Sequence, residues 1–337
     1  MTRQLPPHQG LDPVRPHYPH RMPRAHLSTA PTRFAYLGPE GTFAEAALGT
    51  LGDLAPGERT PLPSVPAALA AVRAGEVDAA LVPLENSVEG SVPATMDGLV
   101  DGTPLVVTRE VFLPVAFVLG VRPGTTAGQV RTVASHPHAL AQCRGRIAGL
   151  VPGADLLPTA STADAARRVA AGEFDAAVCA AIAAERSGLT VLDGDLADHP
   201  GAVTRFVLVQ RPGPLPAPTG ADKTTVTAVV ADRTGALLDL LAEFAVRGIS
   251  LTRIESRPTR EALGVYSFSI DCEGHVADRR VGDALAALHR LAEEVRFLGS
   301  YPRADARPGR PVEERVADRA FADAEAWLAR VRDGQAG

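Results

Sequence analysis

Ala68-Leu-Ala-Ala-Val-Arg-Ala-Gly75-Glu76-Val-Asp78-Ala-Ala-Leu-Val82 is echoed ninety-seven residues later by Ala165-Ala-Arg-Arg-Val-Ala-Ala-Gly172-Glu173-Phe-Asp175-Ala-Ala-Val-Cys179. Each copy predicts a helix ended by glycine, an acidic turn and a short apolar strand. Two copies with different flanks argue against a solenoid, which needs three or more units. They fit two similar α/β lobes facing each other, and a cleft between lobes is where small ligands bind. The echoed segments hold no chemistry of their own. Their acidic turns are expected to be solvated.

Outward from the first copy, Phe34 to Leu37 predicts a strand and Gly38 to Gly41 a turn. Thr42 follows as an N-cap, with Glu45 completing a capping box. Beyond the strand at Ala79 to Val82 lies a polar loop, Pro83-Leu-Glu-Asn-Ser-Val-Glu-Gly90, then a helix around Thr95 to Val100. Val106 to Leu119 is a broken run of β-type residues, long enough to cross to the other lobe. That lobe repeats the grammar: a strand at Val130 to Ala134, then a helix capped by Ser135 and running through Gln142. A strand at Asp155 to Leu157, the second copy and a helix at Ala180 to Ser187 complete it. Val203 to Val209 is expected to return to the first lobe. The alternation and its two crossings predict a two-lobed, periplasmic-binding-protein-like α/β domain over 32–212. Lobe 1 is placed at about 32–112 and 204–212, and lobe 2 at about 113–203.

Residues 213–222 lie in a Pro/Gly-rich linker. Over 223–302 the order is strand, helix, strand, strand, helix, strand, the ferredoxin-like βαββαβ pattern. A second linker precedes a charged C-terminal helix within 303–337. Its apolar stripe, Val316, Ala320, Ala324, Trp327 and Val331, predicts one face docked on the body of the protein.

Composition narrows the function classes. A net charge of −5 and no basic stripe exclude a nucleic-acid footprint. Any anion site must therefore be built locally from Arg, hydroxyls and helix N-termini. Cys143, Cys179 and Cys272 match neither a disulfide framework nor a zinc pattern, and predict reduced thiols in a cytoplasmic protein. No apolar run approaches the roughly 18 to 20 residues of a membrane span. Residues 1–31, rich in Pro, His and Arg, lack the apolar segment of a secretory signal. They predict a disordered tail, or a chain whose true start lies further on.

Candidate chemistry gathers at the predicted cleft. The turn Gly38–Thr42, the loop Glu85–Ser87 and Ser135 could each present helix N–H groups to an anion. Taken alone, Thr42 and Ser135 read first as caps, worth about 1 kcal/mol each. Gln142 lies two turns on from Ser135, on the same helix face. His136 and His138 flank Pro137 without a carboxylate or metal-ligand neighbour in sequence, and are set aside. In Thr204-Arg205-Phe206, Arg could fix a carboxylate while the hydroxyl reaches a reacting group. No nucleotide, Walker, nucleophile-elbow or metal-ligand motif appears.

Tyr36-Leu-Gly-Pro-Glu-Gly-Thr-Phe43, Val82 to Gly90, Ser135-His-Pro with Gln142-Cys143, and Thr204-Arg-Phe206 together resemble the signature blocks of bacterial prephenate dehydratases, in the family's order. The resemblance runs from about Phe34 to Tyr301. The βαββαβ unit resembles an ACT domain. Gly235-Ala236-Leu237-Leu238 and Glu255-Ser256-Arg257-Pro258 match its two phenylalanine-binding motifs.

This resemblance implies conversion of prephenate to phenylpyruvate with no cofactor and no metal. It implies Thr204 as the catalytic residue and Asn86, Ser135 and Gln142 as substrate residues, with Arg205 and Thr42 beside them. Phenylalanine is the implied effector, and a homodimer or homotetramer the implied assembly. By itself Gly235 reads as a tight strand-to-helix turn. The N-terminal tail and C-terminal helix depart from the family pattern. An arogenate dehydratase and a non-catalytic cytosolic amino-acid sensor are the rival readings.

Overall fold

The computed structural model describes residues 32–52, 57–198, 201–258 and 266–335. The expected tail at 1–31 lies outside them. The first lobe runs β1 (Arg33–Leu37), α1 (Phe43–Thr50), β2 (Glu58–Leu62), α2 (Val65–Ala74), β3 (Ala79–Asn86), β4 (Gly90–Ser91), α3 (Pro93–Val100) and β5 (Val106–Pro114). The second holds β6 (Val118–Val121), β7 (Thr132–Ser135), α4 (Pro137–Gln142), α5 (Arg144–Leu150) and β8 (Asp155–Pro158). It continues with α6 (Thr162–Ala170), β9 (Ala176–Cys179), α7 (Ala181–Arg186) and β10 (Thr190–Asp193). β11 (Val203–Gln210) then returns to the first sheet, whose order is β2-β1-β3-β11-β5, while the second sheet is β10-β6-β9-β7-β8.

Both echoed segments fold as helix, turn and strand, α2 into β3 and α6 into β9. Gly75 (φ 76°) and Gly172 (φ 84°) take the left-handed conformation that ends each helix. Alanines let the helices sit close on their sheets: Ala68, Ala71, Ala165 and Ala166 are all buried.

The acidic turns are not simply solvated. Asp78 Oδ2 accepts the backbone N–H of Thr32 (3.1 Å) and Arg33 (3.0 Å), and Asp175 Oδ2 those of Arg131 (2.9 Å) and Thr132 (3.0 Å). The hydroxyls of Thr32 and Thr132 add a further bond each. Parallel pairing is the cause. β1 runs beside β3 and β7 beside β9, so the turn before the second strand meets the start of the first. The Arg33 guanidinium holds the Asp78 carboxyl at about 2, and the Arg131 N–H draws that of Asp175 down as well.

The third sheet is antiparallel, in the order β13-β14-β12-β15. It is built from β12 (Asp222–Val230), α8 (Ala236–Ala245), β13 (Leu251–Pro258), β14 (Tyr266–Glu273), α9 (Arg279–Leu291) and β15 (Glu294–Pro302). Val226, Ala228, Ile270 and Cys272 on one face pack against Leu240, Phe244, Val281 and Leu288 of the helices. The other face lies on the first lobe, where Leu298 and Tyr301 join the core of α2 and α3. At Gly299 (φ 138°) the two backbones touch: a Cβ there would stand 2.2 Å from the Val107 carbonyl oxygen.

α10 (Asp318–Arg332) corrects the expectation of a docked apolar face. Val316, in the turn before it, is buried, but no residue of the helix is, and Trp327 is 51% exposed. Arg279 makes the attachment, its N–H to Asp318 Oδ1 (3.0 Å) and its guanidinium to Glu325. These contacts are polar, and of the expected stripe Val316 is buried while Ala324, Trp327 and Val331 stay exposed. No helix among the described residues is long and apolar enough to cross a membrane. The three cysteines are buried core groups, and burial pushes each thiol up to about 12.

Candidate active site

β3 and β11 run antiparallel with Thr204 opposite Asn86 and Arg205 opposite Glu85. The expected polar loop is therefore strand as far as Asn86, closed by a tight turn into β4. No helix begins at Glu85–Ser87; the next one starts at Pro93. Asn86 Oδ1 accepts the N–H groups of Val88 (2.8 Å) and Glu89 (3.1 Å). With its oxygen committed, the amide must present Nδ2 to Thr204 Oγ1, at 2.8 Å. The Thr204 hydroxyl thus accepts from Asn86, and its own proton is not used in this pair.

The second lobe brings Ser135 and Gln142. Ser135 ends β7 and is fully buried, and its hydroxyl donates to the Val178 carbonyl at 2.5 Å. It does not cap the helix. Pro137 occupies the first helical position, so the cap falls to His136, whose Nδ1 accepts the His138 N–H. In this arrangement the Ser135 hydroxyl is committed to the Val178 carbonyl and is not exposed to the cleft.

Gln142 Nε2 donates to Glu89 Oε1 (2.9 Å), and His138 Nδ1 lies 2.8 Å from Glu89 Oε2. Glu89 therefore clasps the two lobes together across the cleft. No local signal in the sequence marks Glu89 or its pairing with His138, because its partners lie 49 and 53 residues away in the chain.

Thr42 caps α1 as expected, accepting the Glu45 N–H (3.4 Å) while donating to the Leu37 carbonyl (2.9 Å). The capping box is displaced by one residue: Glu45 accepts from Gly41 N–H (2.6 Å) rather than from Thr42, and also receives Arg186 of the second lobe. A cavity of about 440 Å³ opens between the lobes here, with Gly41, Ala163, Arg167, Ala183 and Arg186 in its wall. Asn86, Ser135, Gln142 and Thr204 do not line it. Its arginines are paired, Arg186 also with Glu40 (3.0 Å) and Arg167 with Asp164 (3.0 Å).

Arg205 is the main correction. Successive strand residues point to opposite faces, so a Thr204 that faces the cleft turns Arg205 away from it. Its Nη1 lies 2.5 Å from Asp271 and 3.1 Å from Glu85, its Nε 2.7 Å from Glu110, and its Nη2 donates to Tyr301 (2.9 Å). Burial works against its charge, but Asp271, Tyr301 and Glu110 more than compensate and keep it fully protonated. The same cluster holds the Asp271 carboxyl far below its usual range despite complete burial, through Arg205, Arg253 and Lys223.

Alternation also divides the expected effector residues. Val230 and Pro258 both lie opposite Tyr266, so α8 begins and β13 ends at the same end of the module. Gly235 (φ 85°) is the N-cap of α8, Ala236 is buried and Leu237 is exposed. Ser256 and Pro258 are exposed. Glu255 and Arg257 turn to the first lobe, where Glu255 accepts from Ser91 (2.8 Å) and Arg257 donates to Asp97 (2.6 Å).

A hydroxyl–amide pair at the meeting of two α/β lobes, with a ferredoxin-like module packed behind it, defines a two-lobed cleft enzyme carrying an attached regulatory-type domain. The prephenate dehydratase family profile matches residues 34–214, and the ACT domain profile residues 224–290. The prephenate dehydratase of Mycobacterium tuberculosis is 50% identical over 311 residues, 90% of this chain and 95% of that one. The structure of prephenate dehydratase from Arthrobacter aurescens in complex with L-Phe is similar with a TM-score of 0.84 and 50% identity, covering 89% of this chain and 99% of that one. That of a quorum-quenching acylase is similar at a TM-score of 0.73 and 32% identity, over 80% and 97% of the two chains. This chain belongs to the prephenate dehydratase family.

Proposed function

We propose that the chain converts prephenate to phenylpyruvate, CO2 and water, with Thr204 assisting departure of the ring hydroxyl. The observation that carries this reading is the 2.8 Å bond from Asn86 to Thr204, in which the threonine oxygen accepts and its own proton is not spent on Asn86. Identity of 50% to prephenate dehydratases along nearly the whole chain supports it. The acylase neighbour is a reminder that a shared fold alone does not fix the chemistry.

Prephenate carries two carboxylates and a ring hydroxyl. The bond to the ring carboxylate breaks and its electron pair enters the ring. The C–O bond then breaks with its own pair, and the oxygen leaves as water on gaining a proton. Aromatisation drives the reaction, so no cofactor is required. A threonine hydroxyl is a weak acid, so Thr204 acts by hydrogen bonding to the departing oxygen or relaying a proton to it, help worth about 10²–10⁴-fold. Gln142 supplies an amide donor for the dianion, Ser135 shapes the wall, and Thr42 holds the first turn of α1 toward the cleft.

Residues 32–212 are on this reading the catalytic unit, 213–222 the linker and 223–302 the regulatory unit, in a cytoplasmic homodimer or homotetramer. Phenylalanine is the effector, bound at the interface between ACT units by Gly235, Ala236 and Leu237 together with the β13 segment Glu255–Pro258. β13 is an edge strand and Ile254 on it is 45% exposed, which suits side-by-side pairing with a second copy. Regulation then requires phenylalanine to favour one arrangement of the lobes.

Purified protein is incubated with prephenate, then arogenate, and phenylpyruvate and phenylalanine are measured. Phenylpyruvate from prephenate supports the reading, while preference for arogenate replaces it with arogenate dehydration. Turnover of neither favours an amino-acid sensor.

A further inference from the structure

We propose that Arg205 is a positioning residue, joining the strand that carries Thr204 to the βαββαβ module through Asp271. Arg205 thereby transmits the state of that module to the catalytic hydroxyl. This rests on the prephenate dehydratase reading above.

Three cations and three anions meet at the joint. Arg205, Glu85 and Glu110 come from the first lobe, and Lys223, Arg253 and Asp271 from the module. The side chains of Glu110 and Asp271 are completely buried, and that of Arg205 is 3% exposed. Glu110 also receives Lys223 Nζ (2.9 Å) and the Ala304 N–H (3.0 Å). Asp271 receives Thr225 (2.8 Å) and Arg253 (3.3 Å), and Thr225 bonds the Tyr301 hydroxyl that accepts from Arg205. Charges this deep persist only when each is paired, so the cluster is intolerant of displacement. A shift of the module's sheet must move Arg205 or break a buried pair.

Movement of Arg205 reaches the chemistry directly. Thr204 is its chain neighbour, and the β3–β11 register pairs Arg205 with Glu85 beside the pairing of Thr204 with Asn86. From the other side, Arg253 is bonded to Glu255 (2.9 Å), which opens the expected effector segment. Glu255 in turn accepts from Ser91, whose strand β4 pairs with β3 at Glu85 and Asn86. The effector segment is thus linked to both strands that bear the Asn86–Thr204 pair, to β3 through β4 and to β11 through Arg253, Asp271 and Arg205. A substrate ligand would face the cleft; Arg205 faces the regulatory sheet.

The test uses full-length Asp271→Asn, which keeps the shape and removes the charge. It reads kcat and KM for prephenate, the effect of saturating phenylalanine on the rate, and phenylalanine affinity by calorimetry. The expected result is kcat lower by about tenfold or more, KM within about threefold and phenylalanine affinity within about threefold. The response of the rate to phenylalanine should shrink toward none. Unchanged kcat with an unchanged phenylalanine response overturns the inference. So does a raised KM with unchanged kcat in Arg205→Lys, which would make Arg205 a substrate ligand. If Asp271→Asn does not fold, Glu85→Gln at the partly exposed edge of the cluster carries the same readouts, with smaller changes in the same directions expected. A wild-type enzyme that turns over prephenate but ignores phenylalanine sinks the transmission alone. One that does not turn over prephenate removes the underlying reading as well.

Discussion

Asn86 donates its amide hydrogen to the Thr204 hydroxyl at 2.8 Å, while its own oxygen is held by two backbone N–H groups. The direction of that bond is what frees the threonine proton. Asn86→Asp keeps the shape but reverses the bond, since a carboxylate accepts the proton that the substrate needs. Steady-state kinetics on prephenate should show kcat lower by about 10²–10³-fold with a smaller change in KM. A kcat within a factor of three or so would contradict the assigned direction.

Gln142 is expected to contribute to binding rather than to the chemical step. Its amide is occupied by Glu89 and would be released to the substrate carboxylate on binding. Gln142→Ala should therefore raise KM by about tenfold and leave kcat within about threefold. A large loss of kcat at unchanged KM would assign it to the transition state instead.

Acid stability should be set in part by the two turn aspartates. Asp78 sits at about 2 and Asp175 is also lowered, against about 3.9 for an unfolded chain. Depressed carboxyls contribute stability above the unfolded value, and that contribution is lost as pH falls through the folded value. Asp78→Asn should be less stable at pH 7 by about 1–2 kcal/mol, allowing for partial exposure of the pair. The difference from wild type should narrow between about pH 4 and pH 2. Denaturant melts across that range are the check, and a difference that stays constant would exclude the linkage.

Gly299 permits the closest approach between the module and the first lobe. Both its φ of 138° and the 2.2 Å separation of a built Cβ from the Val107 oxygen exclude a side chain. Gly299→Ala should lower stability by about 2 kcal/mol or more, seen as a reduced melting temperature. An unchanged melt would show that the interface is looser than described.

The sequence made the two lobes, the crossing segments and the βαββαβ module legible, because glycine stops, apolar runs and linkers are local signals. Thr204 and Asn86 were legible through their motifs, and the fold joins them. What misled were relationships set by pairing. Arg205 looked like a cleft residue because it neighbours Thr204, yet strand alternation sends it to the opposite face. Ser135 looked like a cap until Pro137 moved the cap to His136. Asp78 and Asp175 looked solvated because their N–H partners begin more than forty residues away. Glu255 and Arg257 were read with Ser256 as one effector motif, although alternate residues of β13 serve different surfaces. In the C-terminal helix, periodicity marked an apolar stripe without indicating what covers it.

The most direct test is kcat for prephenate in Thr204→Ala measured beside wild type and Thr204→Ser. Loss of the hydroxyl in Thr204→Ala should lower kcat by about 10²–10⁴-fold, and Thr204→Ser should retain much more activity. A Thr204→Ala enzyme that forms phenylpyruvate at the wild-type rate would contradict the role of Thr204.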